Sequence, residues 1–470
     1  MYKYEQVVKD IIQQIENGTY SPGSRLPSLR DLSEQLEVSI STVTQAYYLL
    51  EARGWVKVRD RSGFYVRNQL PNLLPEPDKS SPLADPSRVS MRTIINRIVH
   101  TDTQYPDLVQ LGAAHPNPEL SATTEINRSM RRMERELTNR VGMYDYVPGL
   151  LPLRVQIARR SLISGCQISP DEVIITTGCT EAINLSLRAV CQPGDTVAIE
   201  SPMVFDTLLM LDILGLKAVE IPTHPRSGMD LDALEAAIKR NPISAVIVIS
   251  NFNNPLGSSI PEESKRKLAE LVNREQIPLI ENEIFGELYF GDQRPKTVKA
   301  FDRDGWVILC SSFSKSLAPG YRVGWVLPGR FQEMVEWLKY TTSLASPTLA
   351  EYGIADFMDS GRYQPYLRKV RREYARRMSA LSQSVRRFFP AETRLTRPKG
   401  GFVLWVELPG SVDALEVYYR ALEAGTAITP GHLFSASDQY QHFIRLNAAN
   451  WSPDVDGHIK QLGQFISGDI

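Results

Sequence analysis

Between residues 4 and 15 the apolar side chains Val7, Val8, Ile11, Ile12 and Ile15 recur three and four apart, which predicts a helix with one inward stripe. Ser21-Pro22-Gly23 ends it. Ser28 then opens a second helix as its N-cap, with Leu29, Leu32 and Leu36 facing inward. After Glu37-Val38-Ser39 a third helix carries Val43, Ala46, Tyr47 and Leu50 on its inner face. Its outer N-terminal face holds Ser39, Ser41, Thr42 and Thr44. The period then becomes alternating: 54–59 and 63–67 read as two strands around the turn Asp60-Arg61-Ser62-Gly63. Two helices joined by a tight turn, the second starting in small hydroxyl residues, fit a helix-turn-helix that presents this second helix to a major groove. This domain spans residues 1–68.

Pro71, Pro75, Pro77, Pro82 and Pro86, mixed with Ser, Asp and Asn, predict a stiff, poorly packed linker over 69–104. Within it Met91, Ile94, Ile95 and Ile98 are spaced as on a helix that docks on the following domain. From 105 to 470 apolar runs at 172–176, 196–199, 218–221, 245–249, 278–280 and 306–309 alternate with helical stretches. That is the pattern of an α/β domain, a mostly parallel sheet covered on both faces. In such sheets ligands collect at the carboxyl ends of the strands.

At 470 residues the chain has room for two or three domains, each with its own core. A net charge of −1 excludes a globally basic nucleic-acid binder, so any basic patch is local. Arg53, Lys57, Arg59, Arg61 and Arg67 against the single Asp60 make such a patch, suited to phosphate contacts. The four cysteines form no CxxC pair, which argues against a disulfide frame or a zinc site and for reduced thiols; no metal is expected. With no apolar leader and no long apolar run, the expectation is a soluble, cytoplasmic protein without membrane partners.

The candidate chemistry centres on Ser312-Phe313-Ser314-Lys315, just after a buried strand, with Arg322 seven residues on. A lysine there can bond an aldehyde cofactor while hydroxyls and a guanidinium hold its phosphate; taken alone, the motif favours a solvated loop lysine. Thr177-Gly178-Cys179-Thr180 is a glycine turn entering a helix, whose free N–H groups suit an anion. Asn254 follows one strand, Glu281-Asn282-Glu283-Ile284-Phe285 ends another, and Arg445 offers a late carboxylate clamp.

Pro22-Gly23-Ser24-Arg25-Leu26-Pro27-Ser28-Leu29-Arg30, Val38-Ser39 and the hairpin resemble the GntR-family winged helix. The resemblance implies DNA contacts at Arg30, Ser39, Ser41, Thr42 and Thr44, with a wing tip around Arg61 and Gly63 in the minor groove of a double-stranded operator. Residues 105–470 resemble fold type I enzymes of the class I aminotransferase branch, which bind pyridoxal 5'-phosphate. That resemblance makes Lys315 the Schiff-base lysine. Ser312, Arg322, Gly178, Cys179 and Thr180 become the phosphate cup, Asn254 the partner of the phenolic oxygen, and Arg445 the carboxylate clamp. Tyr144 becomes a residue reaching into the neighbouring subunit's site, hence a homodimer. The two parts together resemble the MocR group of regulators. Three positions depart from the enzymes: Asn282 for the aspartate under the pyridine nitrogen, Phe285 for a tyrosine, and Val204 with Phe205 where an aromatic usually lies over the ring. Glu283 substitutes for Asn282 only if the loop slips by one residue. The expectation is a regulator sensing an amine, amino acid or vitamer effector with weak or no transaminase activity. The alternatives are an active aminotransferase with an accessory DNA-binding domain, and a DNA-binding scaffold with a vestigial site.

Overall fold

The computed structural model describes residues 3–16, 19–20, 23–59, 62–67, 74–82, 85–89, 108–437 and 439–468. At the front, α1 (Lys3–Glu16), α2 (Leu29–Gln35) and α3 (Ile40–Ala52) pack through Val7, Val8, Ile11, Ile15, Leu32, Val43, Ala46, Tyr47 and Leu50, all buried as the helical period requires. Ser28 caps α2 reciprocally: its hydroxyl accepts the Asp31 N–H at 3.2 Å and its own N–H donates to the Asp31 carboxylate. Ser39 caps α3 through the Thr42 N–H, also at 3.2 Å. β1 (Val56–Arg59) and β2 (Gly63–Val66) pair antiparallel, Val56 opposite Val66, and Arg25 bridges to Tyr65 on the far side of β2.

The described part of the expected loose connector is strapped to the body. Lys79 pairs with Asp230 at 2.6 Å, Ser80 donates to the Ser201 carbonyl at 2.6 Å, and Arg394 pairs with Asp78 at 2.6 Å. β3 (Ser87–Arg88) then adds antiparallel to the edge of the main sheet. Prolines that exclude helix are compatible with extended backbone, and the polar side chains between them find partners far along the chain. The helical spacing at Met91, Ile94, Ile95 and Ile98 lies outside the described residues.

After β4 (Val109–Gln110) the main sheet is built from β5 (Ile174–Thr176), β6 (Thr196–Ser201), β7 (Lys217–His224), β8 (Gly228–Met229), β9 (Ile243–Val248), β10 (Leu279–Asn282), β11 (Val307–Ser312) and β12 (Gly324–Leu327). Its order is β3-β7-β6-β9-β10-β11-β12-β5, with β8 beside β7. β7, β6, β9, β10 and β11 run parallel, and β12 is antiparallel to both its neighbours. These strands are buried on both faces, so they read as unbroken apolar runs. A smaller antiparallel sheet orders β13 (Arg394–Leu395), β14 (Val403–Glu407), β17 (Phe443–Asn447) and β16 (Thr429–Pro430); β15 (Thr426–Ala427) pairs with β4.

The head rests on this body. Arg67 donates to Gln383 at 3.2 Å on the 26-residue helix Tyr363–Phe388, and Gln45 of α3 donates to Asp292. Among the described residues no helix is long and apolar enough to cross a membrane, and no cluster of side chains could hold a metal ion.

Candidate functional site

β10 and β11 end side by side, Asn282 opposite Cys310, and the candidate residues gather at and beyond those ends. Past β11 the Ser312 hydroxyl accepts the Ser314 N–H at 3.0 Å, closing a tight turn that projects Lys315. The Lys315 ammonium donates to the Ala114 carbonyl at 2.7 Å. Burial pushes its pKa down to about 8, Asp206 opposes, and Arg445 and Arg322 add to the depression. Arg322 sits in the left-handed region at φ 53°, which turns its guanidinium back to donate to the Ser314 hydroxyl at 3.1 Å and the Thr177 carbonyl at 3.2 Å. Gly178 enters the helix Cys179–Val190 at φ 85° with no side-chain cap, leaving the first N–H groups for an anion. A Cβ on Gly178 would collide with Arg322, and one on Gly324 would lie 2.7 Å from the Gly178 Cα. The cup is backbone-lined because no side chain fits there. Thr180, in the same turn, is exposed.

On the other wall Arg445 is fully buried, and among the described residues it donates only to neutral acceptors. These are the Gly112 carbonyl at 2.9 and 3.2 Å, the Asn254 side-chain oxygen at 3.1 Å and the Thr429 hydroxyl at 3.4 Å. Burial lowers its pKa to about 10, and Asp206 opposes. Phe205 and Phe434 flank the guanidinium at 5.9 and 5.1 Å. Asn447, two residues on and so on the same face of β17, donates to the carbonyls of Ala113 and His115 at 2.7 and 2.8 Å. Segment 112–115 is therefore held by three site side chains, Lys315, Arg445 and Asn447.

Asn282 is buried at the mouth of β10, its side-chain oxygen accepting from the Ile284 N–H at 3.1 Å and from the Cys179 thiol at 3.5 Å. Glu283 is engaged elsewhere: its carboxylate accepts from Asn251 at 3.1 Å and pairs with Arg294 at 3.3 Å, and it is Asn282 that faces Cys179. Phe285 is fully buried in an apolar cluster, its ring edge-on to Phe402 at 5.1 Å. Tyr144 is apart from these groups, 65 % exposed, with its ring 5.7 Å from Tyr146.

In the head, Arg30, Ser39 and Ser41 are exposed and Thr42 and Thr44 half-buried along one edge. The Ser39 hydroxyl is already engaged as a cap, and the Thr44 hydroxyl donates to the Ile40 carbonyl at 2.8 Å. At the wing Gly63 takes φ 103°, and Arg61 lies outside the described residues. Arg25 also lies at the wing, its guanidinium 3.4 Å from where a Cβ at Gly63 would stand, and the carbonyls of Gly112 and Ala114 join the site without any side-chain signal in the sequence.

Residues 108–459 match the family described as aminotransferase class I and II, and residues 3–66 that of bacterial regulatory proteins, gntR family. Over 99% of its length the chain is similar to the uncharacterized HTH-type transcriptional regulator YdcR of Escherichia coli K12, 37% identical over 467 residues, 99% of that chain. It is also similar to 2-aminoadipate transaminase of Thermus thermophilus, 30% identical over 372 residues, 78% of this chain and 92% of that one. The crystal structure of LysN, an alpha-aminoadipate aminotransferase from the same organism complexed with N-(5'-phosphopyridoxyl)-L-leucine, superposes with a TM-score of 0.74. It is 28% identical and covers 81% of this chain and 96% of that one.

Proposed function

The chain belongs to the class I and II aminotransferase family and carries a gntR-family head, the MocR-type architecture, and from that premise we propose a regulator that holds pyridoxal 5'-phosphate at Lys315 and reads an amine-bearing effector there. The residues fit this cofactor. Ser312, Arg322 and the free N–H groups after Gly178 would take the phosphate, Asn254 the phenolic oxygen, and Asn282 the ring nitrogen. When bound, the cofactor supplies an aldehyde on which the lysine and an incoming amine exchange, and a ring that withdraws electrons according to the charge on its nitrogen.

Arg445 carries the proposal. A buried guanidinium with neutral hydrogen-bond partners is a charge awaiting an anion, and a carboxylate offers two oxygens to its fork. An amino acid therefore suits the site: its carboxylate at Arg445, its amine at Lys315. A vitamer of the cofactor is a second class of effector, competing for the phosphate cup. An amino acid would engage the two groups that now hold segment 112–115, Lys315 at Ala114 and Arg445 at Gly112. Through Arg30, Ser39, Ser41, Thr42, Thr44, Arg61 and Gly63 the head would contact a double-stranded operator. The exposed Tyr144 would meet a second copy, making a homodimer with shared sites.

Asn282 marks the balance between sensing and turnover. A neutral amide cannot keep the ring nitrogen protonated as an aspartate does, so electron withdrawal is weak while amine exchange is untouched. Single-turnover spectra with amino donors, run beside anisotropy of fluorescent DNA with and without the same donors, test this. The expected result is slow or no conversion to the pyridoxamine form together with altered DNA binding. Conversion at about one per second or faster, with DNA binding unmoved, would instead mark an active aminotransferase with an accessory head.

A further inference from the structure

Resting on that reading, we propose that Asn282 is locked as a hydrogen-bond donor toward the cofactor's ring nitrogen, which is therefore bound unprotonated, and that Cys179 is the positioning residue that fixes the amide in this sense. An asparagine side chain has an acceptor end and a donor end, and whichever is engaged by the protein leaves the other for the ligand. Here the acceptor end is engaged twice, by the Ile284 N–H at 3.1 Å and by the Cys179 thiol at 3.5 Å. A backbone N–H only donates, so turning the amide over would set N–H against N–H, and the orientation follows from chemistry. Burial pushes the Cys179 thiol well above its ordinary pKa, so its proton stays in place to donate. Among the described residues the amide NH2 of Asn282 has no partner, although the residue is only 7 % exposed.

A donor that no protein group engages is free to meet an acceptor on a ligand. The neighbouring carboxylate does not alter this balance. Glu283 accepts from Asn251 and pairs with Arg294, so its carboxylate is engaged away from the Asn282 amide. One hydrogen sits between Asn282 and the ring nitrogen, and it belongs to the amide. The nitrogen's lone pair accepts it and is closed to a second proton. No covalent step is involved; the consequence is electronic. A ring with a neutral nitrogen withdraws few electrons, so reactions that need withdrawal are suppressed while capture of an amine is retained. Cys179 does not touch the reacting atoms under this proposal; it acts through Asn282.

The test is the 15N chemical shift of pyridine-labelled pyridoxal 5'-phosphate on the full-length protein, which separates neutral pyridine from pyridinium by a wide margin. The expected result is a neutral-pyridine shift in the native protein across the neutral pH range and a pyridinium shift in Asn282→Asp. Cys179→Ala is expected to release cofactor roughly two- to fivefold faster, as loss of one weak hydrogen bond allows, with a displaced 15N shift that Cys179→Ser restores. A pyridinium shift in the native protein overturns the inference by itself, whatever the variants do. An unchanged shift and release rate in Cys179→Ala removes Cys179 from it. If the native protein retains no cofactor at all, the proposed function falls first and this inference with it, an outcome distinct from a retained cofactor with a protonated ring.

Discussion

Lys315 is held where its charge is costly. Burial and the nearby guanidinium groups of Arg445 and Arg322 bring its pKa from 10.5 to about 8, against the pull of Asp206. The neutral amine is the nucleophile, and its fraction grows as pH rises through the folded value. The rate at which cofactor-free protein captures the aldehyde is therefore expected to rise about tenfold per unit below pH 8 and to level above it; stopped-flow absorbance over a pH series measures this. A rate still climbing toward pH 10 would mean an ordinary, solvated lysine. Behind the site Glu287 answers to Arg160, Arg294 and Arg371 together. Burial alone would raise its pKa, but the three guanidinium groups hold it at about 2. With the folded pKa below the unfolded one, the stabilisation is complete above the usual carboxylate range and is lost as pH falls toward about 2. Glu287→Gln leaves those cations without their shared anion and is expected to lower stability by about 3–5 kcal/mol, seen as an earlier urea midpoint. A midpoint within experimental error of the native one would show that the cluster relaxes freely. Lys315, Arg322, Asn254 and Arg445 were legible because each follows or lies in a strand end beside turn formers. The arginines around Glu287 come from elements far apart in sequence, and nothing local in the chain announces their meeting.

At the scale of elements the alternation of periods carried most of the fold. The stripe Val43, Ala46, Tyr47, Leu50 faces inward as its spacing requires, and the buried runs at 245–249 and 306–309 became central strands. The described part of the connector did not follow its composition. Five prolines and scattered polar residues predict poor packing, yet Asp78, Lys79 and Ser80 each find a body partner more than 100 residues away. Composition records which residues lack helical propensity and not which hydrogen bonds tertiary structure will offer them. In the head, the outer edge of α3 keeps two of its hydroxyls for itself, Ser39 as cap and Thr44 toward Ile40. Affinity for DNA then leans on cations. Arg30→Ala is expected to weaken binding by about 1 kcal/mol and to make the slope of log K against log salt shallower by about one. Binding of unchanged strength and slope in gel shifts at matched salt would take Arg30 out of the interface.

For the molecule as a whole, a site built around Lys315 and a gntR-family head share one chain. Residues 112–115 are held by Lys315, Arg445 and Asn447, while Gln383 and Asp292 seat the head on the body. A ligand shifts such an arrangement only by as much as it prefers one state, and the groups it must engage are those that now hold the strap. All of this depends on one covalent anchor. The most direct measurement is to reconstitute the full-length protein with pyridoxal 5'-phosphate, reduce it with borohydride, digest it and weigh the peptides. The expected result is the phosphopyridoxyl increment on the peptide that contains Lys315, absent in Lys315→Ala. An increment confined to other lysines, or none on native protein, would contradict it.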